Sequence, residues 1–166
     1  MVDIRMEDMG MKGALFRNAS LDRAAIVDAR LQGARIIATS FDNARDLAEI
    51  QPRSSRDRDL VNLNGPCDMS GIYIANSTFR AAFFPGGAVF QDAYAVGSDF
   101  SKAHLVLAEF QNANLSGTSF RGAEITDSIF DGANIDQADF RGVVGFEKAS
   151  FHMVQGVPVT DFPIAG

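Results

Sequence analysis

Across residues 98–142 a large apolar residue returns at every fifth position: Phe100, Leu105, Phe110, Leu115, Phe120, Ile125, Phe130, Ile135 and Phe140. Two positions ahead of each stands a small one, in the run Ser98, Ala103, Ala108, Ala113, Thr118, Ala123, Ser128, Ala133 and Ala138. The three positions between are mostly polar, charged or Gly. Few architectures accommodate this period. Steps of five sweep a side chain around a helix axis, and an odd step flips it to the opposite face of a straight strand. One side chain stays inward only if the chain turns a corner every five residues. Four such sides close a square coil of about twenty residues, and such coils stack as an all-β, quadrilateral parallel β-helix. Backbone groups then bond to the coils above and below, roughly 4.8 Å away.

Reading down the chain in steps of twenty tests this. One column becomes Phe100, Phe120 and Phe140, and the column opposite becomes Phe90, Phe110 and Phe130; the other two hold Leu105 with Ile125 and Leu115 with Ile135. Phenylalanine thus alternates with aliphatic residues around the square. Rings one coil apart fall within the roughly 4.5–7 Å range where aromatic pairs attract, and the small residues leave room for them.

The tandem units AEFQN, ANLSG, ANIDQ and ADFRG resemble the pentapeptide-repeat proteins. The resemblance implies a right-handed quadrilateral β-helix. It implies much less about function, because fold and function separate readily.

The whole of residues 1–166 reads as a single solenoid of about six coils, roughly 29 Å of rod at a strand spacing of about 4.8 Å. A first repeat block over 4–45 carries inward Met6, Met11, Phe16, Leu21, Ile26, Leu31, Ile36 and Phe41, with Ile4 and Met9 widening the end coil. Asp46 would occupy the next inward slot, where an unpaired carboxylate is prohibitively costly. Residues 46–66 therefore read as an excursion loop, rich in Pro, Ser and Gly, in which Arg53, Arg56 and Arg58 alternate with Asp57 and Asp59. A long loop in a compact protein is commonly functional or disordered, and these five residues are the candidate partner-binding loop; a solvated, charge-balanced insertion is the plainer reading.

The second block, over 67–153, starts with Met69, Ile74, Phe79 and Phe84 inward and Cys67 as a buried packing thiol. The PGG at 85–87 shifts the register by one, which places Phe79 on the Phe100 column and makes Phe90 the next centre; Ala95 leaves a slot underfilled, into which Phe84 or a neighbour leans. Another shift at Gly145 makes Phe146 and Phe151 the next centres, after which the pattern stops. The remaining 154–166 reads as a C-terminal cap in which Val157, Val159, Phe162 and Ile164 cover the core, while Pro158 and Pro163 withhold ladder bonds.

Composition excludes several classes. One cysteine rules out an internal disulfide, and no Cys/His spacing suggests zinc. No run of about 18 apolar residues is present. The N-terminal MVDIRMEDMGMKG lacks the apolar segment of a signal peptide, so the cytoplasm fits, and a processed chain of an organelle or thylakoid lumen reads the same. Net charge is −6. Seven basic against six acidic residues over 1–45 give +1, and three against seven over 98–142 give −4. That acidity argues against direct nucleic-acid binding and permits a basic partner.

No phosphate loop, nucleophile elbow or metal motif is present. His104 and His152 point outward; coil arithmetic sets Glu124 above His104 as a surface pair and leaves Glu109, Asp131, Asp136 and Asp139 apart. Asn114 and Asn134 should stack as a ladder bonded through their side chains, and Arg121 and Arg141 should run beside Asp99 and Asp139. The expectation is a monomeric, non-enzymatic interaction scaffold without cofactor, holding an unidentified protein partner. The resemblance implies two alternatives: a DNA-mimicking protector of a type II topoisomerase such as gyrase, and a lumenal or cyanobacterial accessory protein.

Overall fold

A computed structural model describes residues 5–7, 13–17, 20, 25–27, 35–37, 67–84 and 87–162, without the side chains of 5–7, 25–27, 35–37 and 67. Six short strands, β1 (Arg5–Glu7), β2 (Leu15–Arg17), β3 (Ala25–Val27), β4 (Arg35–Ile37), β5 (Cys67–Asp68) and β6 (Ala88–Val89), precede a 3₁₀ turn at Phe146–Lys148. All pairing is parallel. In the first block β1 pairs with β3 and β2 with β4, which sets Met6 against Ile26 and Phe16 against Ile36, a twenty-residue step. Met11, Leu21, Leu31 and Phe41 lie outside the described residues, as do Ile4, Met9 and the whole of 46–66.

From Cys67 onward the chain is a stack of square coils. Single bridges link each side to the coils before and after it, as in Val89 to Glu109 to Ile129, and Asp99 to Ser119 to Asp139. Each inward residue opens a tight turn: the Phe100 carbonyl accepts from Ala103 N–H at 3.0 Å, Phe110 from Ala113 at 3.1 Å and Phe120 from Ala123 at 2.9 Å. The second residue after each centre holds a left-handed φ, between 54° and 61° at Asn76, Lys102, Leu107, Asn112 and Asp127. Turns with this conformation favour Gly or Asn, which explains the Gly, Asn and Asp that recur there.

Packing follows the alternation of large and small. Phe90, Phe100, Leu105, Phe110, Leu115, Phe120, Ile125, Phe130, Ile135 and Phe140 are fully buried, with Phe79 at 1% exposure. The first aromatic column runs Phe79, Phe100, Phe120, Phe140 with stacked centroids 4.9, 5.5 and 4.9 Å apart. The second runs Phe90, Phe110, Phe130, Phe151 at 4.8, 5.0 and 4.8 Å. The two columns meet edge-on along the axis, Phe100 on Phe110 at 5.9 Å and Phe120 on Phe130 at 5.6 Å. Each ring therefore satisfies both favoured aromatic geometries at once. Phe84 and Ala95 are buried, and Phe84 meets Phe90 edge-on at 6.0 Å. Phe16 of the first block packs against this core.

At several small positions a hydroxyl stands in place of Ala. Ser98 donates to the Ile74 carbonyl, Thr118 to that of Ala95 at 2.7 Å and Ser128 to that of Leu105 at 2.6 Å. Each of these three hydroxyls thus ties its coil to the preceding one and is satisfied.

Among the described coils the register changes at three places. The step is 21 residues across 84–87, as in Tyr73 to Tyr94 and Phe83 to His104, and again after Val144, as in Ile129 to Ser150; it returns to 20 between Gln155 and Val159. The second shift corrects one expectation. Phe151 is a coil centre, but Phe146 is not: it sits in the 3₁₀ turn that absorbs the extra residue and stacks on Phe151 from outside at 4.9 Å. A second correction concerns the end of the array. Its backbone ladder continues through Gln155 and Val159, although the large side chains no longer turn inward. Gly145 and Gly156 stand where inward side chains would come. A Cβ at Gly145 would lie 2.1 Å from Thr126 Oγ1, and one at Gly156 would lie 2.4 Å from Asp136 Cβ.

Within the described residues of the tail, Val157, Val159 and Phe162 do not fold down as an apolar lid. Val157 is 76%, Val159 41% and Phe162 48% exposed; Val154 packs against the core, and Phe162 stacks on Phe146 at 5.6 Å. The ladder is instead terminated by polar means. Gly142 N–H, which would donate to a further coil, donates to Asp161 Oδ2 at 2.8 Å, and Pro158 offers no N–H at all. Pro163 and Ile164 lie outside the described residues.

Candidate interaction surfaces

The outward position just before each inward residue forms four columns, one per wall, and these decide what the rod can present. Two walls back the phenylalanine columns. On one of them Arg80 stands 4.0 Å from Asp99, and Asp139 collects both Arg121, at 3.4 Å, and Arg141, whose Nε and NH2 reach its two oxygens at 2.9 and 2.7 Å. Arg121 and Arg141 meet Asp139 as expected, whereas Asp99 is met by Arg80 instead. The hydrogen bond from Arg141, assisted by the Arg141 and Arg121 charges, holds the Asp139 carboxyl at about 2 against an ordinary 3.8. A carboxylate with a lowered folded value stabilises above its ordinary range and loses that contribution as pH falls through the lowered value. Wild type should therefore show an extra drop in melting temperature between about pH 4 and pH 2, and Asp139→Asn should lack it. Circular-dichroism melts across that window check this, and equal acid limbs would contradict it.

The other two walls back the aliphatic columns, and they carry aromatics outside. Tyr73 and Tyr94 stack at 4.9 Å and 6°, above Asn114, Asn134 and Gln155. On the opposite wall Phe83 stacks on His104 at 4.6 Å, and His104 Nδ1 meets Glu124 Oε2 at 2.6 Å, with Val144 next in the column. The His104–Glu124 pair was legible by counting coils. The two outward aromatic pairs were not read, because they appear only when the one-residue shift at 85–87 is carried to the outer columns as well.

Asn114 and Asn134 stack, but they do not bond as a ladder in the way expected. Asn114 Oδ1 accepts from Ser116 N–H at 3.2 Å and Asn134 Oδ1 from Asp136 N–H at 3.1 Å. A short amide reaches the amide two residues ahead more readily than the next coil. Asp68, Asp99 and Asp139 do the same for Ser70, Ser101 and Arg141.

Two carboxylates that seemed isolated hold the shifted last coil. Asp131 Oδ1 accepts from Ser150 Oγ at 2.6 Å and His152 N–H at 2.9 Å, and Asp136 Oδ1 from Val157 N–H at 3.1 Å. Among the described residues no three His, Cys, Asp or Glu side chains converge as metal ligands, and no helix is long and apolar enough to cross a membrane. The loop residues Arg53, Arg56, Asp57, Arg58 and Asp59, and the side chain of Cys67, lie outside the described residues.

A family profile for pentapeptide repeats matches residues 86–122 and 103–142, in eight copies. Among solved structures, the chain is similar to the pentapeptide-repeat protein Rfr23 from the cyanobacterium Cyanothece 51142, with a TM-score of 0.57 at 14% identity over 95% of this chain and 91% of that one. At that identity the likeness concerns the fold. Two further structures match: a pentapeptide-repeat protein of the Arabidopsis thaliana thylakoid lumen, with TM-score 0.37 and 23% identity over 70% and 68% of the two chains, and HetL, involved in heterocyst differentiation regulation in Nostoc sp. strain PCC 7120, with TM-score 0.33 and 17% identity over 91% and 71%. No curated protein sequence matches the chain.

Proposed function

Residues 86–142 make this chain a pentapeptide-repeat protein with a right-handed quadrilateral β-helix, and on that premise we propose that it is a non-enzymatic scaffold that binds another protein. One observation carries the reading: the polar side chains of the walls are largely committed to building the rod, while large apolar and aromatic side chains are left facing outward. Asp99, Asp131, Asp136 and Asp139 bond turns, neighbouring coils or arginines, and Glu124 bonds His104. Catalysis needs such groups poised over a reacting atom. Aromatic side chains held rigidly at a surface suit protein contact instead. A DNA-mimicking role toward a topoisomerase fits less well, since those five of the seven acids in 98–142 are already engaged within the rod.

Affinity capture from the native host, with the chain as bait, tests the scaffold. A stoichiometric protein partner is expected. Turnover that disappears on replacing His104 or Glu124 would overturn the reading. The same experiment tests 46–66 as a partner-reading element. Replacing residues 53–59 with Gly/Ser should abolish capture while changing stability by about 1 kcal/mol or less, because loop closure depends weakly on length. Retained capture would move recognition onto the walls, and loss of the fold would make the segment structural. The scaffold acts as a monomer in this reading, so light scattering should give one chain's mass at all concentrations; a concentration-independent dimer would contradict it and implicate the exposed Val157, Val159 and Phe162.

A further inference from the structure

Resting on the scaffold reading, we propose that the wall carrying Phe83 and the corner beside it dock a basic, apolar-anchored segment of the partner protein. Phe83 is 38%, Leu107 55% and Val144 58% exposed. Phe83 and Val144 share one outward column through His104 and Glu124. Leu107 stands at the corner of the same wall, its N–H bonded to the Thr126 carbonyl at 3.0 Å. The apolar groups thus extend over three coil steps, roughly 14 Å at a spacing of about 4.8 Å, a length that a short amphipathic segment spans with anchors at both ends. The rings are held rather than mobile, because Phe83 is stacked on His104 and His104 is fixed by Glu124. Rigid apolar side chains lose little conformational freedom when covered.

Charge selects the occupant. Two carboxylates neighbour Leu107: Glu109, two residues on and on the adjoining wall, and Asp127, at the equivalent corner of the next coil. Neither makes an ion pair or side-chain hydrogen bond among the described residues, in contrast to the other five acids of 98–142. Apolar groups spaced along this wall, with two unengaged carboxylates at its Leu107 corner and Lys102 at the other, complement a segment that joins Leu- or Phe-like anchors to Lys or Arg at the Leu107 side. The opposite wall offers Tyr73 and Tyr94 above amides, its outward aromatics spanning one coil step, and the wall of Asp139 is neutralised by its own arginines. Electrostatic complementarity of this kind sets partner choice and approach rate.

A random peptide library displayed on phage and panned against the full chain supplies the probe. Enriched peptides should combine Lys or Arg with Leu, Phe or Ile, and a synthetic copy of the best should lose about tenfold or more in affinity to Glu109→Lys with Asp127→Lys, and likewise to Phe83→Ser. Tyr94→Ser on the opposite wall should change nothing. All these positions face outward, and melting curves verify that the variants fold. Copies with Lys replaced by Glu, or with Leu replaced by Ser, should fail to bind; binding by the Ser copy would reduce the effect to bulk charge and overturn the proposal. So would enrichment of acidic or uncharged peptides, no enrichment, or affinity indifferent to the wall variants. If the wall variants still capture the host partner at full strength, the docking site is wrong and the scaffold stands; if wild type captures none, the scaffold fails independently.

Discussion

Phe120→Ala should lower the free energy of unfolding by about 3–5 kcal/mol, the loss of a fully buried ring together with the cavity it leaves. Phe120 sits in the middle of its column. It stacks on Phe100 at 5.5 Å and Phe140 at 4.9 Å, and meets Phe110 and Phe130 edge-on at 5.6 Å each. Removing it uncouples both columns at once, and backbone ladders above and below resist collapse into the space. Urea denaturation followed by circular dichroism measures the loss; the outward Ser116→Ala serves as control, at under about 0.5 kcal/mol. A Phe120→Ala protein that unfolds like wild type would mean the stacked columns contribute little.

Gly145→Ala should be nearly as damaging although it adds a single methyl. The backbone there holds φ 80°, a region that L side chains enter at about 1–2 kcal/mol. The new Cβ would lie 2.7 Å from Thr126 Cα and 2.8 Å from its N, backbone that cannot rotate away. Overpacking of this sort adds about 1–3 kcal/mol, so a total near 3 kcal/mol is expected. The damage should be local. Hydrogen exchange should show residues 150–159 losing protection while 98–124 keep theirs. Uniform loss would indicate that the last coil is an integral part of the core rather than its terminus.

What could be read from the sequence follows what the period constrains. A five-residue period with a twenty-residue column leaves one way to bury Phe100, Phe110 and Phe120, so the inward register and the ring stacks were legible without coordinates. Small positions such as Ala103 and Thr118 followed from the same geometry. Departures from the period were harder. The shift after Gly145 could be seen in the spacing of Phe140, Phe146 and Phe151, but spacing does not say which residue bulges. Packing decided it, by ejecting Phe146 into a 3₁₀ turn where it can still cover Phe151. The acids were misread for a related reason. Asp131 and Asp136 resemble solvated surface charges until the extra residue in the next coil leaves amides at His152 and Val157 for them to accept from. The outward aromatics are hidden in the repeat because Tyr73 with Tyr94, and Phe83 with His104, pair only across the register shift between Phe84 and Gly87.

The twenty-residue step between bonded strands has a kinetic consequence. Most parallel-sheet proteins must close long loops before any strand pair forms, which slows them. Here each strand of the described coils finds its partner 20 or 21 residues away, about 0.12 of the chain's 166 residues, a value of relative contact order typical of mixed α/β domains rather than of β-sandwiches. Every coil can be templated by the one beside it, so order spreads outward from whichever segment forms first, as in other one-dimensional arrays. The stretch with an unbroken twenty-residue register, Phe90 to Phe140, is where that growth should begin, and the shifted coil beyond Val144 should be the last of the described coils to join and the first to leave.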